Sequence, residues 1–390
     1  MFLLDMPAVP FTDPWVLPLH QRLKELARGK LRVAYFYETA NNSTFRYRAY
    51  NMVQVLNDET DRAVSASYFF LDDLHRIDEI ADQANLLVIC RSRYCHRINQ
   101  LVAKFKIQGK RVLFDIDDFV FNPSYAHLIM DTLDQDVDNS ALWDYWFAYT
   151  SRMGEALRLC DSAITTNDYL ATRIAEYSGM PVSVVPNFIN KEQLALSESI
   201  FRSKKSTKFA RDGRICIGYF SGSPSHNLDY AIITTALEEV MDNDPRVDLM
   251  IAGYIESGVF LNRFGPRVKY QPFQDYINLQ QSIGRVEFNL MPLQSNVFTN
   301  CKSELKYFEA AIVGTLSIAS PSHTYAAAIR DGENGYIAQA HQWASVIQRA
   351  IENIGAYQDM ATTAHDDAQL KYAFYNQREK IIKALDLERR

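Results

Sequence analysis

The sequence has no long apolar run and no excess of basic residues. No stretch approaches the roughly eighteen apolar residues of a membrane-spanning helix, and the first residues show neither the basic start nor the small-residue cleavage site of a signal peptide. The 41 Lys and Arg are outnumbered by 47 Asp and Glu, giving a net charge of −6, which does not favour nucleic-acid binding. We therefore expect a cytoplasmic protein whose association with the inner face of the cytoplasmic membrane, if any, is peripheral.

Metal and dinucleotide motifs are also missing. The five cysteines are odd in number and scattered, and no set of Cys and His residues has the spacing of a zinc site. A reducing compartment is the simple interpretation. No GxGxxG motif follows the first predicted strand, Leu31 to Tyr37, which argues against a dinucleotide cofactor. The sequence therefore predicts no bound cofactor.

What the sequence does contain is an alternation of apolar strands and amphipathic helices. At 390 residues and 47% hydrophobic residues, the chain is long enough for two domains with separate cores. Strand and helix patterns alternate until Pro186, pause in the polar stretch from Lys191 to Arg214, and restart at Ile215. We predict an α/β protein with two doubly wound domains, residues 1–200 and 201–371. The polar stretch between them is either the interdomain linker or an excursion close to it.

The segment from Val286 to Ala319 is predicted to form a strand, a polar turn, a helix and a second strand. In the predicted helix, Lys302, Lys306 and Glu309 are spaced to share one face. A helix that starts beside the carboxyl ends of parallel strands favours phosphate binding, and a carboxylate can accept hydrogen bonds from a ribose. A solvated helix face would show the same spacing.

A loop rich in glycine and serine, SGSPSHN, follows the predicted strand that starts at Ile215. Its small residues allow backbone N–H groups to approach a phosphate. His226 in this loop is compatible with a turn or with a phosphate or sugar ligand. The candidate ligand-binding residues of the loop are Ser221, Gly222, Ser223 and His226.

Two arginines lie at the start of the helix predicted from Phe45 to Leu56, after the polar loop that ends at Thr44. Arg46 and Arg48 would face an anionic ligand across a cleft, or would simply be solvated. Arg91 follows the third predicted strand, where it would reach the same edge of the sheet.

Three carboxylates follow the fourth predicted strand in FDIDDFVF: Asp115, Asp117 and Asp118. They are compatible with a metal site. They are also compatible with a base or hydroxyl-binding pair for a sugar acceptor, or with capping of the turn before Phe119. We favour the second interpretation, because a DxD metal site belongs to an architecture that would not need the second α/β domain.

Three segments, KSELKYFEAA, FDIDDFVF and TTN followed by VVPNF, resemble retaining glycosyltransferases of family 4, which have the GT-B fold. Members of that family carry two glutamates eight positions apart, and the second contacts the ribose of the nucleotide. Glu309 matches the second, whereas Cys301 stands at the first. Glu304 would replace it only with a shifted turn, and the arginine and lysine that the family places in the phosphate loop are absent from SGSPSHN.

The resemblance implies two Rossmann-like domains facing each other across a cleft, with a last helix, residues 372–388, packing back on the first domain. It implies transfer of a hexose or deoxyhexose from a UDP-, GDP- or dTDP-sugar to a glycan or lipid-linked acceptor, with retention of configuration and without metal. Bacterial polysaccharide or O-antigen synthesis, in complexes with other assembly enzymes, is the expected context. A GT-B sugar-nucleotide epimerase and a catalytically silent glycan-binding scaffold are the alternatives.

The expected roles follow. The candidate catalytic residues are Lys302, Lys306, Asp117 and Asp118. The candidate nucleotide-sugar-binding residues are Ser221, Gly222, Ser223, His226, Ser303 and Glu309. The candidate acceptor-binding residues are Thr44, Arg46, Arg48, Arg91 and Asp115.

Overall fold

The computed structural model of the protein describes residues 1–4, 6–58, 63–222, 227–254 and 259–387. Within these ranges the chain forms two six-stranded, wholly parallel sheets, one in each half. No helix in the described part of the chain is both long enough and apolar enough to cross a bilayer.

The first sheet has the strand order β2–β1–β3–β4–β5–β6. Its strands are β1 (Leu31–Phe36), β2 (Val64–Phe69), β3 (Leu86–Cys90), β4 (Arg111–Asp115), β5 (Ser162–Thr165) and β6 (Val182–Val184). The helices of this half are α1 (Leu19–Leu26), α2 (Asn51–Leu56), α3 (Ile77–Gln83), α4 (His96–Ile107), α5 (Ala126–Thr132), α6 (Ser140–Arg158) and α7 (Asp168–Ser178).

Both faces of the first sheet are buried, which explains why its strands are apolar runs rather than alternating patterns. In β1, Val33 and Tyr35 pack into one apolar cluster, whereas Ala34 and Phe36 pack into another on the opposite face. The strand order reverses between β1 and β3, so the loops after these strands border the crevice where open α/β sheets bind ligands.

The second sheet has the order β12–β11–β10–β7–β8–β9, and its order reverses between β7 and β10. Its strands are β7 (Ile215–Ser221), β8 (Val247–Gly253), β9 (Val268–Gln271), β10 (Phe288–Met291), β11 (Leu316–Ala319) and β12 (Tyr336–Ile337). The helices of this half are α8 (Lys191–Ser206), α9 (Asn227–Ala231), α10 (Thr234–Asn243), α11 (Tyr276–Arg285), α12 (Val297–Asn300), α13 (Leu305–Ala311), α14 (His323–Ala328), α15 (Trp343–Glu352) and α16 (Tyr357–Tyr372).

The polar stretch predicted as a linker is largely the helix α8. Asn190 caps it, its Oδ1 accepting from the Gln193 N–H at 2.9 Å, and Ile200 and Phe201 are buried in the core of the second half. The side chain of Lys204 is also buried, donating to the Gly314 carbonyl oxygen at 3.0 Å. The stretch from Lys191 to Ser206 is therefore an ordered helix, with charges mainly on its outer face and residues such as Ile200 and Phe201 packed inward.

The last helix, α17 (Arg378–Ala384), packs on the first half of the molecule. Ile381 and Leu385 join the apolar cluster that contains Val33 and Tyr35. Asp386 forms an ion pair with Arg111 on β4 at 3.1 Å. The helix α17 therefore packs on the half that contains the first sheet.

Candidate functional site

A cavity of about 590 Å³ lies between the two halves, bordered by the carboxyl ends of both sheets. This volume is within the usual range for a small-molecule site. The loops after β1, β3 and β4 form its N-terminal wall, and the ends of β7 and β8, with α11 and α13, form its C-terminal wall. Of the predicted site residues, eight line it: Thr44, Arg46, Arg91, Asp117, Ser221, Gly222, Lys306 and Glu309.

The helix α13 carries Lys306 and Glu309 into the cavity. Burial lowers the pKa of Lys306 to about 8, although Asp229 and Glu309 oppose this shift. Its ammonium lies 5.6 Å from the centre of the Tyr219 ring, and it forms no ion pair with any described residue. A cation whose charge is disfavoured by burial, and which forms no ion pair among the described residues, makes this wall attractive to an anion.

The Glu309 carboxylate is held from across the cleft. Its Oε1 accepts from the Tyr47 hydroxyl at 2.5 Å, from Arg46 at 3.2 Å and from the Gln193 amide at 3.2 Å. In the described part of the chain, no residue donates to Oε2. One oxygen thus fixes the carboxylate, and the other keeps its capacity to accept hydrogen bonds.

Arg46 and Tyr47 reach Glu309 because the helix predicted from Phe45 begins with a π-helical turn, Arg46–Tyr50. Such turns are rare and are frequent at functional sites. The Arg46 guanidinium stacks 4.1 Å from the centre of the Tyr47 ring and 4.4 Å from that of Tyr276. Arg46 therefore lines the cavity as predicted, but its guanidinium is committed to positioning Glu309.

Arg48 and Asp115 do not reach the cavity. Both side chains are buried, and they form a two-pronged ion pair with distances of 2.7 and 3.0 Å. Arg48 also donates to the Val185 carbonyl and to Asn187. Burial raises the pKa of Asp115, and the Arg48 guanidinium opposes that shift. In this structure the pair braces β4 and β6 beneath the site, which corrects their prediction as acceptor ligands.

The N-terminal wall is a connected polar network. Arg91 donates to Asp117 Oδ1 at 3.0 Å and to the Thr44 hydroxyl at 3.1 Å, and Thr44 in turn donates to Asp117 Oδ2 at 2.9 Å. The backbone of Arg91 has φ of 31°, a conformation that a residue with a Cβ rarely adopts and that is often retained at functional sites.

Asp118 lies beside this network but outside the cavity lining. Its Oδ1 accepts from the Phe119 N–H at 3.0 Å, which is the turn-capping role considered for this cluster, and Arg91 lies 3.5 Å from its Oδ2. No group of three His, Cys, Asp or Glu side chains among the described residues is placed to hold a metal ion.

The residues just before α13 face the N-terminal half rather than the cavity. The Cys301 carbonyl accepts from Asn167 at 2.9 Å, and the Ser303 hydroxyl accepts from Asn187 at 2.9 Å. Cys301 is fully buried in the core of the first half, and burial raises the pKa of its thiol. Neither residue reaches the cavity.

Lys302 and Glu304 are also outside the cavity. The predicted helix starts at Leu305 rather than Lys302, so the three residues do not share one helical face. The Lys302 ammonium lies 4.8 Å from the centre of the Phe298 ring. The Glu304 carboxylate accepts from the Tyr372 hydroxyl at 2.7 Å, so it does not take the place of the first family glutamate.

The loop predicted to bind phosphate begins where β7 ends. Ser221, the last residue of β7, and Gly222, the next residue, line the cavity. Ser223 and His226 lie outside the described residues. Gly253, at the end of β8, has φ of 92°, and a Cβ there would stand 2.0 Å from the Ser221 carbonyl oxygen. Only glycine allows the two strand ends to approach this closely. The backbone itself thus forms this part of the wall.

Several residues of the site were missed from the sequence, among them Asn289 and Phe273, which line the cavity, and Gln193, which holds Glu309. Asn289 on β10 is buried, and its Oδ1 has no hydrogen-bond partner among the described residues; a lone amide inside an apolar strand was the available signal. Phe273 lines the cavity and packs against Tyr254, with ring centres 5.5 Å apart. Gln193 had no local signal, because its role depends on Glu309, more than a hundred residues away.

The paired parallel sheets and the cleft between them define the GT-B fold, as the resemblance implied. The Anabaena protein HepE in complex with UDP is 13% identical, with a TM-score of 0.62 over 92% of this chain and 100% of that one. Other HepE complexes contain UDP and glucose, or UDP-glucose. A glycosyltransferase from Rickettsia africae is 12% identical, with a TM-score of 0.58 over 91% of this chain and 97% of that one.

A sucrose-phosphate synthase from Thermosynechococcus elongatus is 11% identical, with a TM-score of 0.56 over 92% of this chain and 98% of that one. No protein-family description matches the chain, and no curated protein sequence matches it significantly. At these identities the solved structures establish the fold, which is that of GT-B glycosyltransferases.

Proposed function

We propose that the protein is a glycosyltransferase that moves a hexose or deoxyhexose from a UDP-sugar to a glycan or lipid-linked acceptor. Retention of configuration, independence from metal and a role in bacterial polysaccharide or O-antigen assembly are parts of the same proposal, on the strength of the family resemblance. UDP is the first choice of nucleotide because the solved HepE complexes, which share the fold, contain UDP.

The geometry of Glu309 carries the proposal. Its Oε1 is fixed by three donors, and its Oε2 is left without one among the described residues. A ribose presents two neighbouring hydroxyl groups, which are donors that match a carboxylate oxygen of this kind. The position also matches the glutamate that contacts ribose in the family that the sequence resembles.

The diphosphate would lie between Lys306 and the end of β7. Transfer of the sugar breaks its bond to the diphosphate, and negative charge develops on the leaving oxygen. The Lys306 ammonium, together with backbone N–H groups near Ser221 and Gly222, would stabilise that charge. A bound diphosphate would also favour the protonated amine, because an anion nearby opposes the effect of burial on the Lys306 pKa.

The nucleobase and the acceptor occupy opposite ends of the cavity in this proposal. Phe273 and Tyr254 expose about half of their surface at the carboxyl ends of β8 and β9, where a flat base can stack on them. The network of Thr44, Arg91 and Asp117 lies on the other wall, and its carboxylate can accept a hydrogen bond from an acceptor hydroxyl.

A catalytically silent scaffold is the second candidate. It is favoured by Cys301, which occupies the position of the sugar-contacting glutamate and is buried away from the cavity. Such a protein would bind a glycan without transferring a sugar, with or without a functional nucleotide site.

The test is to titrate the protein with UDP-, GDP- and dTDP-sugars in a calorimeter and to measure the slow release of free nucleotide, with and without EDTA. We expect saturable binding of a UDP-sugar and slow release that EDTA does not change. Tight binding without any release, even when glycan acceptors are added, would support the scaffold. Fast release without acceptor would support an epimerase. No binding of any of these nucleotide sugars would refute both enzymes and support the scaffold.

A further inference from the structure

The first half of α6 presents aromatic side chains to solvent. Trp143, Tyr145 and Phe147 expose 37%, 50% and 57% of their surface, and Trp146 and Tyr149 are half-buried. At 3.6 residues per turn these five side chains cover roughly 200° of the helix circumference, with Tyr145, Trp146 and Tyr149 on one side and Trp143 and Phe147 beside them. Exposed apolar groups in such a concentration mark an interaction surface. We call these five residues the α6 aromatic face.

Three rings of the α6 aromatic face are in mutual contact. The centre of the Tyr145 ring lies 5.5 Å from that of Trp146 and 6.0 Å from that of Tyr149, and the last two are 5.4 Å apart. Trp143 is held by its indole N–H, which donates to the Val137 carbonyl oxygen at 2.7 Å. Four of the five rings are therefore positioned by a neighbouring ring or by a hydrogen bond.

The face is continuous with the N-terminal wall of the cavity. The Arg93 guanidinium lies 5.4 Å from the centre of the Tyr149 ring and pairs with Glu38, at the start of the loop after β1. Arg93 thus links the α6 aromatic face to the loop after β1, whose later residues line the cavity.

The charge around the face selects the kind of partner. No Lys or Arg occurs between Arg111 and Arg152. The segment instead carries aspartates on and before α6, namely Asp131, Asp134, Asp136, Asp138 and Asp144. Arg93 at one edge of the face and Arg152 further along α6 are the basic residues beside it. The more numerous aspartates disfavour anionic lipid surfaces and phosphate-rich chains. A neutral saccharide is not repelled, since it offers apolar C–H faces to the rings and hydroxyl groups to the carboxylates.

We propose that the α6 aromatic face is a binding site for a neutral oligosaccharide, the part of the acceptor that extends beyond the cavity. The assignment of this saccharide as acceptor rests on the proposed function, because the cavity supplies the transfer site. The site implies an acceptor several sugar units long, since it begins at the cavity wall and continues along two turns of α6.

Tryptophan fluorescence tests this directly. The chain has four tryptophans, and Trp15 and Trp343 are buried, so a surface ligand would act on Trp143 and Trp146. The probes are neutral tetrasaccharides of glucose, galactose, mannose and N-acetylglucosamine. We expect at least one to change the emission saturably. The double variant Tyr145→Ala, Phe147→Ala should weaken that binding about tenfold or more, since each change removes an aromatic contact.

The control variant is Tyr375→Ala, which removes an equally exposed aromatic ring in the segment before α17. It should leave saccharide binding unchanged, and all variants should keep the wild-type melting temperature and UDP affinity. The proposal is overturned if no tetrasaccharide changes the emission or if the double variant binds like wild type. It is also overturned if the face instead mediates self-association in sedimentation or binding to neutral phosphatidylcholine vesicles. Absence of UDP binding alone would refute the proposed function and leave this site standing.

Discussion

The two walls of the cavity satisfy their polar groups in opposite ways. On the N-terminal wall, Thr44, Arg91 and Asp117 are hydrogen-bonded to one another. On the C-terminal wall, the strand ends at Ser221 and Gly253 line the cavity with backbone atoms. Lys306 on the same wall has no ion-pair partner among the described residues. One wall is electrostatically complete without a ligand, whereas the other has an unmatched cation.

This difference teaches which ligand each wall suits. A lysine with a pKa lowered by burial is stabilised in its protonated form by an anion such as a diphosphate, so this wall suits an anion best. On a wall whose charged groups already pair with one another, a neutral hydroxyl group can bind without breaking those pairs. The predictions below probe this contrast, beginning with the support beneath the N-terminal wall.

The largest effect is expected for the buried ion pair that braces the N-terminal wall. Arg48→Ala leaves the Asp115 carboxylate buried without its partner, which should lower the free energy of unfolding by about 3–5 kcal/mol. Urea denaturation measures this. Arg93→Ala is the matched control, because its pair with Glu38 is partly exposed and should cost about 0–1 kcal/mol. Equal losses would show that Arg48 and Asp115 are not a structural pair.

The next effect concerns the unmatched cation. Lys306→Ala should lower kcat by roughly 10²–10³, because the leaving diphosphate loses a preorganised charge, while donor affinity changes less. Lys302→Ala is the control, since that ammonium lies outside the cavity. Steady-state kinetics with a UDP-sugar separates the two variants. Equal losses of kcat in Lys306→Ala and Lys302→Ala would show that Lys306, on α13, has no greater catalytic role than Lys302, which precedes that helix.

The pH dependence sharpens the same point. The Lys306 pKa is lowered to about 8, and the ammonium is the form that stabilises negative charge. Therefore kcat/KM should fall as the pH rises through about 8, by up to tenfold per pH unit. In Lys306→Arg the guanidinium stays protonated, so this fall should disappear from the pH profile. A wild-type profile that is flat between pH 7 and 9.5 would be inconsistent with the assignment.

The smallest effect is expected on the complete wall. Asp117→Asn weakens the network with Arg91 and Thr44 and should raise the acceptor KM roughly tenfold, about the value of one charged hydrogen bond. Asp118→Asn changes a carboxylate that caps the turn before Phe119 and should leave the acceptor KM nearly unchanged. A larger rise of the acceptor KM in Asp118→Asn than in Asp117→Asn would assign acceptor binding to Asp118 instead of Asp117.

The fold followed from the sequence because both sheets are buried on both faces, so their strands are recognisable apolar runs. The i, i+3 spacing of Lys306 and Glu309 survives on α13, since a one-helix pattern depends only on local geometry. Of the three residues predicted to share one face of this helix, Lys306 and Glu309 therefore line the cavity, whereas Lys302 does not.

The residues that the sequence misplaced are those decided by distant contacts. Lys302 and Ser303 leave the helix because Asn296 caps the separate helix α12 and Asn187 bonds to Ser303. The partners of Glu309 are Arg46 and Tyr47, which lie in the other half of the chain. The spacing of residues along one segment carries no information about such contacts. The π-helical turn that places Arg46 next to Glu309 also has no sequence pattern that we recognised.

The central claim is that Glu309 binds the ribose of a UDP-sugar, and nucleotide affinity tests it most directly. Calorimetric titration with UDP should give a Kd that rises roughly 10- to 100-fold in Glu309→Gln, since charged hydrogen bonds to the ribose are weakened. In Glu304→Gln, a matched change at a buried glutamate bonded to Tyr372 outside the cavity, the Kd should stay within about twofold of wild type. Equal UDP affinity in wild type and both variants, or no UDP binding by the wild-type protein, would contradict the account.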